Sequence, residues 1–170
     1  MIRSFFAFLL SLSCLMVCGC AGYQLGSPVS QNLRTVHVPV FENRTNFPMA
    51  GAVASQQFLD IMIEDGTFVP TPYDEARLRV QVVIEGFTSN AVRYDRNNNV
   101  QPDEYYLTIN TKLYAFDARS GKPYIDGKTV RATESMLTRN QFQNAVQDTL
   151  PRLSRQLAKN LLDELQTIQE

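Results

Sequence analysis

The sequence contains no tryptophan, one histidine and three cysteines, and all three cysteines fall between residues 14 and 20. These shortages narrow the chemistry. A Ser-His-Asp or Cys-His scheme would depend on His37 alone, and general acid-base work needs several groups that converge with tuned pKa values. The neighbouring acids Asp74 and Glu75, Asp103 and Glu104, and Asp163 and Glu164 are adjacent in sequence, so they point apart on a strand or helix and read as solvated charges. Positive charge is not in excess either. With 16 basic and 17 acidic side chains the net charge is −1, which gives no bulk attraction for nucleic acid or another polyanion. "DARSGK" (residues 117–122) lacks the spacing of a phosphate loop, and "DRNNNVQPDE" (95–104) misses the calcium-loop pattern. No catalytic residue, metal site or cofactor is therefore expected.

The apolar run Phe5 to Val17 is shorter than the about 20 residues that a membrane-spanning helix needs. It follows one positive charge, Arg3, and leads into small residues at Gly19 and Cys20, the three-part plan of a cleaved export signal. Val17, Cys18 and Gly19 before Cys20 resemble a bacterial lipobox. Cleavage there would remove residues 1–19 with Cys14 and Cys18, and leave Cys20 as a lipidated N-terminus. More than one acyl chain gives stable membrane attachment. Disulfide and metal roles for the three cysteines then disappear, and Ala21 after the anchor matches outer-membrane sorting.

Residues 20–33 read as a linker and residues 34–170 as one domain, long enough to bury about 68–70% of its unfolded surface. In "TVHVPVF" (35–41), Val36, Val38 and Val40 alternate as in a half-buried strand, with Pro39 suited to an edge. Pro48 opens a helix whose Ala50, Ala54, Phe58, Ile61 and Met62 share a face, and Gly66 closes it. Leu78, Val80, Val82 and Ile84 line one face of a strand that bulges at Gly86 and continues to Tyr94. A loop is expected over "RNNNVQPD" (96–103). A third strand has Tyr105, Leu107, Ile109, Leu113 and Ala115 inward, a hairpin turn uses Gly121, and a fourth strand spans about Lys128 to Ser135. Phe142, Val146, Leu150, Leu153, Leu157, Leu161, Leu165 and Ile168 form the stripe of a closing amphipathic helix, which Pro151 should kink or restart.

The expected fold is α+β: a two-layer sandwich with two helices on one face of a mostly antiparallel four-stranded sheet, in the order β-α-β-β-β-α. The other face stays open and carries Arg77, Arg79, Gln81, Tyr106, Thr108, Asn110, Lys112 and Tyr114. On the last helix, Arg152, Arg155 and Lys159 read as a solvated basic stripe balanced by Asp163 and Glu164.

"CAGYQL" (20–25) directly after the lipobox, "VHVPVFENRT" (36–45), a helix, the strand "DEARLRVQVVIEGF" (74–87) and the closing helix together resemble the lipopolysaccharide (LPS)-assembly lipoprotein family, LptE. The resemblance implies a non-enzymatic protein, lipid-anchored at Cys20 on the periplasmic face of the outer membrane. Such a protein acts as plug and assembly partner of the LptD β-barrel translocon and binds LPS. Candidate contacts to barrel or LPS are Arg77, Arg79, Arg93, Arg96, Tyr106, Lys112, Arg119 and Lys122, with Lys128 a further cation. "VPVFENRT" before a helix is also similar to lipoproteins that regulate a peptidoglycan synthase (LpoB) or form a secretion pore (CsgG). The early "GYQL" and the missing stalk and membrane hairpin favour the first family.

Overall fold

A computed structural model describes residues 29–95, 98–138 and 141–168. Cys20 and the "GYQL" segment lie outside the described residues.

The alternating runs form a meander of three long strands, β4 (Leu78–Asp95), β5 (Asn98–Asp117) and β6 (Pro123–Leu137). Leu78, Val80, Val82, Ile84, Leu107, Ile109, Leu113 and Ala115 are all buried on one face, as their period requires. Thr111 falls among them, and its hydroxyl donates to the Val130 carbonyl at 3.0 Å, so the polar group is satisfied inside the sheet. The expected bulge occurs: pairing steps from Ile84 with Thr111 to Gly86 with Asn110, leaving Glu85 as the extra residue. The expected loop over 96–103 does not hold. β5 begins at Asn98, paired with Asp95, and Pro102 sits opposite Tyr94. Cross-strand pairing outweighs the turn preference of the Asn and Pro residues.

The sheet itself is larger and mixed. Three short strands, β1 (Thr35–His37), β2 (Glu42–Asn43) and β3 (Val69–Pro70), make it six-stranded, in the order β3-β1-β4-β5-β6 with β2 also on β4. β1 runs parallel to both β3 and β4, and β2 runs parallel to β4 further along. The expected four-stranded, mostly antiparallel sheet therefore gives way to a mixed one. The single strand foreseen over 35–41 breaks after His37, because Pro39 cannot donate to a ladder; Val40 is 73% exposed and Phe41 turns inward. β3 has only two residues, too few for any period, and is fastened by Val69 N donating to Arg34 O at 2.7 Å and Thr71 N to Val36 O at 2.9 Å.

Helix α1 (Met49–Asp65) starts after Pro48 and ends at Gly66, whose φ of 72° permits the left-handed cap and whose N–H donates to Met62 O. Helix α2 (Phe142–Gln166) runs through Pro151 as one helix, so the restart foreseen after Thr149 does not occur. Pro151 lies on the exposed side of the helix, as does Gln147, whose carbonyl loses its partner to the missing N–H. The two helices pack on each other and on one face of the sheet, α2 against β5 and β6 and α1 against β2 and β3. One apolar core joins Phe58, Ile61 and Met62 to Leu153, Leu157, Leu161 and the inward faces of the strands. The α+β class and the two-helix layer are as expected.

Candidate binding surface

The segment carrying much of the family resemblance proves to be a built turn. Asn43 Oδ1 accepts from Thr45 N and Thr45 Oγ1 at 3.0 and 2.7 Å, and Asn43 Nδ2 donates to Phe47 O at 2.8 Å. Phe41 N donates to the buried Ser55 hydroxyl at 2.7 Å, and that hydroxyl donates to Gly51 O at 2.7 Å, so the turn is stapled to α1. Phe47 stacks on Phe87 with ring centroids 4.8 Å apart. His37 is engaged in packing: its Nδ1 lies 3.3 Å from Thr71 O and its ring meets Tyr73 edge-on. These residues orient the sheet.

The face of the sheet away from the helices carries polar, cationic and aromatic side chains. Arg79 lies over the Tyr73 ring at 3.8 Å, and Tyr114 and Phe116 stack alongside with near-parallel rings. Arg79 is in register with Phe116, and Gln81 with Tyr114. Further along, Arg131 Nε donates to Asn110 Oδ1 at 2.9 Å, and the Thr108 and Thr133 hydroxyls are 3.0 Å apart. Cation–π and cross-strand contacts of this kind contribute about 0.2–1 kcal/mol each at exposed sites and hold the face as a fixed surface.

At one end the face opens into a cleft of about 570 Å³, lined by Thr35, Asp74, Arg77, Arg79, Ala118 and Arg119 among others. Arg79 comes from the start of β4 and Arg77 from the residue just before the strand, and both line the cleft. The turn after β5 delivers Arg119. That turn is organised by Asp117, whose Oδ1 accepts from Arg119 N, Ser120 N and Ser120 Oγ at 2.9, 2.7 and 3.0 Å. Its other oxygen lies 3.7 Å from Arg77 Nε. The Nε atoms of Arg77 and Arg79 are buried without a hydrogen-bond partner among the described residues.

The hydrogen bonds from Ser120 first, then Arg119 and the charge of Arg77, hold the Asp117 carboxyl below its ordinary value against the opposing effect of burial. A carboxylate whose pKa is depressed on folding adds stability that is present above its unfolded value of about 3.9 and is lost as pH falls through the folded value. Asp117→Asn should therefore be less stable than the parent at pH 7, with the gap closing below about pH 4. Urea unfolding of both proteins across that range measures it; a gap independent of pH would exclude the charge of Asp117 as the cause.

The expected contact residues do not form one site. Arg77, Arg79 and Arg119 converge in the cleft. Lys112 stands mid-face, 4.0 Å from Glu85, and Lys122 is exposed in the turn. Tyr106, 46% exposed, and Arg93 lie toward the far end of the hairpin, with Arg93 3.3 Å from Asp103 and 3.6 Å from Glu104. Lys128 is engaged by Glu164 at 3.5 Å. Arg96 and Cys20 lie outside the described residues. The basic stripe on α2 is balanced differently from expectation: Arg152 pairs with Glu134 at 3.5 Å and Arg155 with Glu64 at 2.7 Å, both on other elements. Sequence reading missed Tyr73 and Phe116, which frame Arg79. Tyr73 sits in an irregular segment with no period to flag it. Phe116 ends an alternation whose outward residues were followed only to Tyr114.

Fold and surface define a helix-backed, mixed-sheet domain with one polar face that neither α1 nor α2 covers. No family model and no curated protein matches the chain. Solved structures do. A structure from Caulobacter crescentus CB15 ascribed to a lipoprotein is similar with a TM-score of 0.56 at 17% identity, over 80% of this chain and 90% of that one. An uncharacterized lipoprotein B from Nitrosomonas europaea gives 0.55 at 9% identity, over 85% and 88% of the two chains. A minor lipoprotein from Acinetobacter baumannii gives 0.50 at 12% identity, over 79% and 93%. At these identities the likeness establishes the shared fold.

Proposed function

We propose that this chain is an outer-membrane lipoprotein of the LPS transport and assembly machinery. It acts without catalysis, as plug and assembly partner of an LptD-type β-barrel, and it binds LPS. Three things support the reading. The N-terminal segment has the plan of a lipoprotein signal ending at Cys20. The fold is that of structures described as lipoproteins. The observation that carries the contact surface is the uncovered sheet face with its cleft of Arg77, Arg79 and Arg119.

Cys20 tethers the domain to the inner leaflet of the outer membrane, and the body enters the barrel from the periplasmic side. A barrel lumen is polar, so it suits a rigid face of Arg, Lys, Tyr, Thr and Asn side chains. In the cleft, arginine forks would pair with phosphate groups through charge-assisted, bidentate hydrogen bonds. Tyr73 and Phe116 beside Arg79 exclude water from one side of it and strengthen such pairs.

Affinity capture of the C-terminally tagged protein from mildly solubilised outer membranes tests the proposal. A large β-barrel recovered at near-equal amounts is the expected result. Recovery of a peptidoglycan synthase, or of a ring of the bait alone, would replace it with a regulator or a secretion pore. Cys20→Ser should move the protein from the membrane to the soluble periplasmic fraction, with loss of the acyl mass at the N-terminus. A variant that stays membrane-bound would overturn the anchor.

A further inference from the structure

The chain enters the described domain at the arginine cleft. Asn32 lines that cleft together with Asp74, Glu75, Arg77, Arg79 and Arg119, and Val29, three residues before Asn32, is buried in the core. Fully extended, the span from Cys20 to Val29 reaches about 30 Å. The opposite end of the sheet is farther off, because β4 runs on from Arg79 to Tyr94 for about 50 Å. A lipid anchor at Cys20 therefore hangs the domain by its cleft end, and so short a tether gives a site there an effective concentration of headgroups on the order of millimolar. The cleft walls are tied together: Arg77 N donates to Thr35 O and Ala118 N to Arg77 O, both at 2.9 Å. Their charges have both signs. Asp117 is spent on its own turn, where its Oδ1 accepts from Arg119 N, Ser120 N and Ser120 Oγ. Asp74, Glu75 and Arg119 are exposed, and among the described residues their side chains enter no hydrogen bond or ion pair. A purely anionic ligand would satisfy the arginines and be repelled by Asp74 and Glu75, whereas a phosphate with an ammonium two carbons away satisfies both.

We propose that the cleft seats the phosphoethanolamine headgroup of a phospholipid in the leaflet that holds Cys20, its phosphate on Arg77, Arg79 and Arg119 and its ammonium on Asp74 and Glu75. The inference rests on the anchor of the proposed function and names the bearer of the phosphate in this cleft. Arginine forks pair bidentately with phosphate oxygens, and a primary ammonium has three N–H groups to donate to carboxylates. A choline headgroup carries the same charges but has no N–H to give, and a glycerol headgroup offers no cation to Asp74 and Glu75. The arginines thus supply attraction and the carboxylates supply selection. The placement agrees with a plug: the anchored end stays at the periplasmic mouth of the barrel, level with the headgroups, and the β4–β5 hairpin points away from them.

The test uses the lipoprotein purified in mild detergent and titrated with the free headgroups glycerophosphoethanolamine, glycerophosphocholine and glycerophosphoglycerol, and with LPS. Glycerophosphoethanolamine should bind at least tenfold more tightly than the other two headgroups. Arg119→Gln should weaken all of them, whereas Glu75→Gln should remove the preference for ethanolamine over choline and leave phosphate pairing in place. Both side chains are exposed, so unfolding midpoints equal to the parent's are expected and separate lost binding from lost fold. In vesicles of phosphatidylethanolamine and phosphatidylglycerol, a nitroxide on Ala118→Cys should be relaxed by gadolinium chelated at the lipid headgroups, and one on Val92→Cys, toward the far end of β4, should not. Equal binding of the three headgroups, or equal relaxation at the two positions, would overturn the proposal. So would displacement of glycerophosphoethanolamine from the cleft by LPS at lower concentration, which would leave the barrel reading intact and give the cleft to LPS phosphates. A protein without an acyl chain on Cys20 would fail the anchor itself; an acylated protein without headgroup preference would fail this proposal alone.

Discussion

Replacing Leu157 with Ala is expected to lower the unfolding free energy by about 2–5 kcal/mol, out of the 5–15 kcal/mol typical of a domain. Leu157 is fully buried in the middle of α2, within the cluster that joins α1, α2 and the inward faces of the strands. Truncation removes the transfer free energy of its lost carbons and leaves a cavity that the neighbouring Leu153 and Leu161 cannot collapse into, because both are fully buried and fixed on the same helix. The measurement is equilibrium denaturation with the slope monitored, so that a change in midpoint alone reports stability. A loss below about 1 kcal/mol would mean that the helix layer is not the main core.

Gly51→Ala carries the second large effect, and its sign is the informative part. In an exposed helix the substitution stabilises by about 1 kcal/mol, since glycine is the poorer helix former. Here a Cβ on residue 51 would stand 3.0 Å from Phe41 O and 3.2 Å from Asn43 Cβ. Neither neighbour is free to yield. Phe41 is held through its N–H by Ser55, and Asn43 by three hydrogen bonds within its own turn. The expected outcome is a net destabilisation of about 1–3 kcal/mol, as for overpacked core sites. Denaturant unfolding that shows Gly51→Ala to be more stable than the parent would mean that the turn and α1 separate at little cost. Stapled between β2 and α1, the residues of "VFENRT" build a joint that aims β1, β2 and α1.

The stability of that joint matters for the proposed function, because it sets the geometry of the uncovered face. β1 brings Thr35 beside Arg77, and the β5–β6 turn brings Arg119, so the cleft is assembled from three separate pieces of chain. Its arginines keep their orientation through Asp117 and Tyr73, neither of which was a candidate contact. A plug inside a barrel must hold such a face rigid, and this one is braced on both sides.

What the sequence alone determined was whatever depends on local period and on single special residues. The alternation of Leu78, Val80, Val82 and Ile84, the stripe from Val146 to Leu165, the turn at Gly121 and the stop at Gly66 are one-dimensional signals, and each met its expected element. The bulge before Gly86 was legible for the same reason. Tertiary structure decided the rest. The parallel pairings of β1, β2 and β3 carry no period, because two or three residues cannot show one, and they exist only because β4 offers an edge to join. Asn98 to Asp103 became strand through pairing with β4, against their own turn preference. The convergence of Arg77, Arg79 and Arg119, and the divergence of Arg93, Lys112 and Lys122 from them, likewise follow from which strands lie side by side. Residue types specify local conformation; long-range pairing specifies neighbours, and a binding surface is made of neighbours.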